Sequence, residues 1–201
     1  MSLRKVPKFL FVLLSLSFSL KGKAQENFLS TPKINVKSLL WSTYFKPAPP
    51  NTLKEQIKGL SYLIEQESDS QKLVDLYLKK IFLQMKLIQS YKNATQDKVS
   101  PLLSSCLNDT KKVIESPQAA AFQKAMAFFF KAQVLLKQKQ TEKATTAFKK
   151  SIQLNPQFRM VPYMALFVAN KALSKEAFKE ASQYYLMAQN IPNSSLKHEI
   201  T

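Results

Sequence analysis

Glycine is nearly absent: the 201 residues hold two, Gly22 and Gly59. Tight hairpins, phosphate-cradling loops and nucleophile elbows need backbone at positive φ or in close approach, and glycine usually supplies it. A β-protein, a P-loop enzyme and a dinucleotide-binding fold are therefore disfavoured, whereas long helices joined by Asn, Ser, Lys and Pro turns do without it. Cysteine is equally scarce. Cys106 stands alone, so no intramolecular disulfide can form, and it reads as a small, partly buried apolar residue. The one histidine, His198, lies near the end of the chain and reads as a solvated tail residue. Acids number 13 against 30 bases. Glu65, Glu67 and Asp69 fall close together in a turn, with no histidine or cysteine to complete a metal site. Without a histidine-led base, a paired-carboxylate cleft or a glycine loop, no enzyme activity, cofactor or metal is expected.

Hydrophobic residues make up 45% of the chain and the mean hydropathy is -0.19, a globular balance. The start reads as a secretory signal peptide over residues 1–24. Arg4, Lys5 and Lys8 form a positive leader, and residues 9–20 are apolar apart from serines. Gly22 and Ala24 present small side chains before a cleavage point ahead of Gln25. The apolar run is too short to span a bilayer, which takes about 20 residues. A buried N-terminal helix and an uncleaved anchor are the competing readings. Cleavage would remove Arg4, Lys5, Lys8, Lys21 and Lys23, taking the net charge from +17 to +12. The expected location is a periplasm or the cell exterior.

Residues 25–51 read as a proline-rich lead-in, with Pro32, Pro47, Pro49 and Pro50. Within it, residues 34–45 read as a short helix or an apolar strap with Trp41 as its anchor. From Thr52 onward the period is helical. Thr52 and Glu55 suggest a capping box, followed by Leu53, Ile57, Leu60 and Ile64 on one face. Ser68, Asp69 and Ser70 break that helix and cap the next, over 71–92. Its face carries Val74, Leu78, Ile81, Met85 and Ile88, and Phe82, Leu83 and Leu87 widen it enough to imply cover on two sides. Ser100-Pro101 and Ser116-Pro117 read as N-cap and first helical residue, starting helices over 101–115 and 117–138. Three more follow over 141–154, 161–173 and 175–190. The expectation is an all-α chain of about seven helices with no strand.

A repeat is visible in residues 125–156. Ala144, Phe148, Ser151, Leu154 and Pro156 give a small residue, an aromatic one turn later, a second small residue and a terminating proline. Phe128, Ala132 and Leu135 give large, small and large in the preceding helix. Ala181, Tyr185, Ala188 and Pro192 repeat the second-helix order 37 residues after Ala144, with Pro162 and Ala165, Ala169 and Ala172 upstream. This order resembles the tetratricopeptide repeat family over about 70 residues. The resemblance implies an α-α solenoid of antiparallel helix hairpins over 117–192. Residues 52–116 would then be a cap or divergent repeats, and 193–201 a tail. Alternatively, the chain is one piece of a longer array. The resemblance also implies a groove lined by the first helix of each hairpin. By spacing, that groove holds Met126, Phe129, Gln133 and Leu136, then Tyr163, Leu166 and Asn170. Phe128 is expected in the core. Phe129 follows it directly, so groove and core remain competing places for it.

Lysine is plentiful. Lys72, Lys79 and Lys86 recur every seven residues and share one helical face. Lys111-Lys112, Lys137, Lys139, Lys143 and Lys149-Lys150 add to the excess. A solvated lysine surface is the bland reading. Attraction to an acidic protein, a membrane surface or an envelope polymer is the functional one. Nucleic acid is disfavoured, because after residue 24 the only arginine is Arg159 and phosphate recognition favours arginine. Asn93, Asn108 and Asn193 each begin a glycosylation triplet, a pattern that chance supplies often. The function expected is non-enzymatic: an exported adaptor or assembly factor that binds another polypeptide in its helical groove.

Overall fold

The structure is a computed structural model that describes residues 49–91 and 96–189, with backbone alone at 96–98. The signal peptide, the Trp41 strap, Pro192, His198 and the tail over 193–201 lie outside the described residues, as do the triplets at Asn93 and Asn193. Among the described residues there are seven helices and no strand: α1 (Pro50–Gln66), α2 (Ser70–Ser90), α3 (Gln96–Glu115), α4 (Ala121–Lys137), α5 (Thr141–Leu154), α6 (Val161–Leu173) and α7 (Phe178–Ala188). Each packs against the next, and α2 also reaches α4. No helix among the described residues is long and apolar enough to cross a membrane.

Four starts differ from the sequence reading, each for a local reason. α1 begins at Pro50, with Pro49 before it, so the rigid proline φ opens the helix and the Thr52 box is not used. α3 begins at residue 96 and carries Pro101 inside it. A proline so near the start forfeits a single backbone hydrogen bond, which the packing of α3 on α2 and α4 outweighs. At Ser116 the hydroxyl accepts from the Gln118 N–H at 3.3 Å, but this closes a turn and not a helix. α4 starts only at Ala121, where the Gln123 side chain accepts the Ala120 N–H at 2.8 Å. α7 starts at Phe178 because residues 174–177 are spent on a turn. The α2 boundary came out as read: Asp69 accepts from the N–H groups of Gln71 (2.8 Å) and Lys72 (3.1 Å). Those two bonds hold its carboxyl below the ordinary aspartate range.

Two turns explain how the chain manages with so little glycine. Residues 138–140 join α4 to α5, and 174–177 join α6 to α7. Links this short keep the helices they join packed against each other. In the first, the Lys139 N–H donates to the Leu136 carbonyl and the Gln140 N–H to the Leu135 carbonyl, with Lys139 at φ 61°. In the second, the Glu176 N–H donates to Leu173 and the Ala177 N–H to Ala172, with Glu176 at φ 58°. Both are Schellman closures with a charged residue in the left-handed position that glycine prefers. They recur at the 37-residue spacing that separates Ala144 from Ala181. A left-handed non-glycine residue costs about 1 kcal/mol or slightly more. Lys139→Gly and Glu176→Gly should therefore each stabilise the fold by up to about 1 kcal/mol. Urea unfolding followed by circular dichroism reads this directly, and a loss of stability in either variant contradicts the turn geometry.

Candidate functional site

In the α4–α5 pair, the small–aromatic–small order read for the second helix is buried. Ala144, Phe148 and Ser151 are wholly buried on α5. Being small, Ser151 lets its hydroxyl donate to the Ala125 carbonyl of α4 at 2.7 Å, a buried bond that ties the two helices together. In the second pair, Ala181 and Ala188 are buried against α6, while Tyr185 is half-buried and donates its hydroxyl to Asn170 at 2.5 Å. Phe129, Phe130, Phe148, Phe158 and Phe167 form one aromatic chain through α4, α5, the α5–α6 link and α6. Ring centroids along it lie 5.3–6.2 Å apart, in the tilted or edge-on arrangements that aromatic pairs favour.

This chain settles the place of the Phe128–Phe130 triplet. Phe129 and Phe130 are fully buried and Phe128 is half-buried, so the face expected for Phe128 belongs to its two successors. The reason is the cover on α4. It packs on α2, α3 and α5, and its sequence is apolar nearly all round, as a buried helix requires. Of the residues expected to line a groove, Phe129, Gln133, Leu136 and Tyr163 are buried, Met126 and Leu166 are half-buried, and Asn170 is exposed. Spacing alone placed them on a stripe. It did not show that neighbouring helices cover most of it. Met126 and Leu166 remain partly accessible, and Asn170 is engaged by α7 through Tyr185.

Gln133 is the chemically unusual member. It is fully buried, and neither its amide nitrogen nor its amide oxygen has a hydrogen-bond partner. A buried unpaired amide costs about 1–3 kcal/mol, and an apolar side chain of similar shape would avoid that cost.

A second polar cluster, not anticipated from the sequence, lies between α2 and α3. Lys80 Nζ sits 3.2 Å from Asp109 Oδ2, and the Gln84 amide donates to the same oxygen at 2.9 Å and to Ser105 Oγ at 3.0 Å. Asp109 and Gln84 are buried. Asp109 falls one turn after Cys106 and one before Val113 on the inward stripe of α3, a spacing that could have marked it. It was read instead as the middle of the Asn108 triplet. Beside it, Cys106 is fully buried, with Sγ 3.7 Å from Met85 Sδ. Burial above all, then the Asp109 charge, pushes its thiol far above the ordinary range, which makes it an inert core residue.

Of the α2 lysines spaced by seven, Lys72 and Lys79 are exposed, and Lys86 lies half-buried over the Phe82 ring at 4.8 Å. Among the described residues no group of three or more His, Cys, Asp and Glu side chains is placed to hold a metal ion. No protein-family model, no curated protein and no solved structure matches this chain.

Proposed function

We propose that this chain is a non-enzymatic interaction module, an exported adaptor or assembly factor of the tetratricopeptide-like solenoid type. A polypeptide would bind against the first helices of its two C-terminal hairpins, α4 and α6. One observation carries this reading: two consecutive helix pairs close with the same hydrogen bonds and the same left-handed residue at a 37-residue spacing. Repeated hairpins of this kind stack into surfaces used for binding other proteins. Met126 of α4 and Leu166 of α6 are the partly accessible apolar residues a peptide would meet.

A second reading is docking on an anionic surface or polymer through lysines, favoured by the exposure of Lys72 and Lys79 on one face of α2. The two readings separate by salt, because exposed charges are screened beyond about 10 Å at 0.1 M ionic strength whereas apolar burial is not. The test is capture from native extract by the whole chain and by Met126→Ser/Leu166→Ser, washed at low and high salt. The expected partner survives high salt and is lost in the variant while its helical signal is unchanged. A partner that washes off with salt and ignores the variant overturns the groove reading.

A further inference from the structure

The two hairpin turns lie at one edge of the α4–α7 pairs. Each joins the end of one helix to the start of its antiparallel neighbour, and an ion pair between Lys175 of the second turn and Glu142 at the start of α5 brings the turns together. This edge gathers Lys139, Lys143, Lys171, Lys175 and Lys179, besides Lys137 at the end of α4. Three acids stand among them, Glu142, Glu176 and Glu180. Two of these are occupied: Glu142 pairs with Lys175, and Glu180 pairs with Lys149. Amid the lysines, Phe178 opens α7 with 65% of its surface exposed, the largest exposure among the large apolar residues described. It follows directly on the turn, at the first residue of α7, with most of its side chain open to solvent.

We propose that this edge docks on an anionic lipid bilayer surface, with the lysines meeting headgroup charge and Phe178 entering the interface. Lysine stems lie along the headgroup layer while their ammonium groups stay hydrated. A phenyl ring on a basic rim joins apolar burial in the acyl boundary to headgroup attraction, the combination that interfacial anchors use. The clear positive excess of the whole chain, +17 or +12 after loss of residues 1–24, favours approach to an anionic surface. The proposal is independent of the peptide-binding reading. It shares only the sign of the charge with the α2 stripe, which carries no exposed large apolar residue.

The buried, unreactive Cys106 permits a single-site label in the whole chain. A polarity-sensitive dye is placed at Ser174→Cys in the second turn, and in a separate sample at Ser68→Cys, between α1 and α2. Each is mixed with vesicles of phosphatidylcholine alone and of phosphatidylcholine with a minority of phosphatidylglycerol. The expected result is a blue shift at position 174 with the anionic vesicles only, and none at 68. Adding Phe178→Ser should weaken the 174 response about tenfold, and each of Lys139→Gln and Lys179→Gln about fivefold. A Lys72→Gln/Lys79→Gln variant should leave it unchanged. Equal shifts at 68 and 174, no shift at 174, or a response abolished by the α2 variant but indifferent to Phe178→Ser would each overturn the proposal. So would a 174 response to poly-glutamate but not to vesicles, which would assign the edge to acidic polypeptides.

Discussion

Phe129→Ala is expected to cost about 3–5 kcal/mol of folding stability. Phe129 sits at the crossing of three ring contacts, with Phe130, Phe148 and Phe158, and has no exposed surface. Truncation removes its own transfer free energy and leaves a void that α4, covered by α2, α3 and α5, cannot close by moving inward. Domains of this size are stable by about 5–15 kcal/mol, so the variant would sit near the edge of folding. Phe129→Leu, which fills most of the space, should lose far less. Chemical denaturation of both variants decides the residue's place: a loss below about 1 kcal/mol for the alanine variant would mean that Phe129 faces outward after all.

Asp109→Ala should be comparably severe, for an electrostatic reason. The Asp109 carboxylate compensates the Lys80 ammonium, whose side chain is 14% exposed, and accepts from the buried Gln84 amide. Removing it leaves both donors in a largely dry interface, a loss of about 3–5 kcal/mol. Replacing the pair together, Lys80→Met with Asp109→Leu, should restore much of that stability, because the cost lies in the orphaned partner and not in a large net gain from the pair. A double variant as unstable as Asp109→Ala alone would show that the cluster contributes through geometry, not through charge compensation.

The helical class and the seven helices of the described residues were legible in the sequence, because apolar residues recur at three- and four-residue steps from Leu53 to Ala188. Helix starts were less so. Asp69 was read correctly since its carboxylate has one local use. Ser116 was misread because the same hydroxyl chemistry closes a turn as readily as it caps a helix. Lys139 and Glu176 gave no warning of left-handed backbone, since nothing in a charged side chain announces positive φ. The groove residues show the limit of spacing most plainly. Met126, Phe129, Gln133 and Leu136 do share a stripe, but burial depends on what packs over it, and that is set by how α2, α3 and α5 fold onto α4. The Lys80–Asp109 pair failed in the same way. Twenty-nine residues separate the partners, and only the α2–α3 contact joins them.

The partly accessible Met126 and Leu166 offer the most direct test of whether α4 and α6 bind a peptide. The measurement is partner capture by Met126→Ser/Leu166→Ser beside Gln133→Met, whose side chain is fully buried, with unfolding stability read on the same preparations. Binding through the accessible residues predicts loss of the salt-resistant partner in the first variant and its retention in the second. Capture by the first variant as strong as by the parent chain would contradict the assignment of these helices to peptide binding.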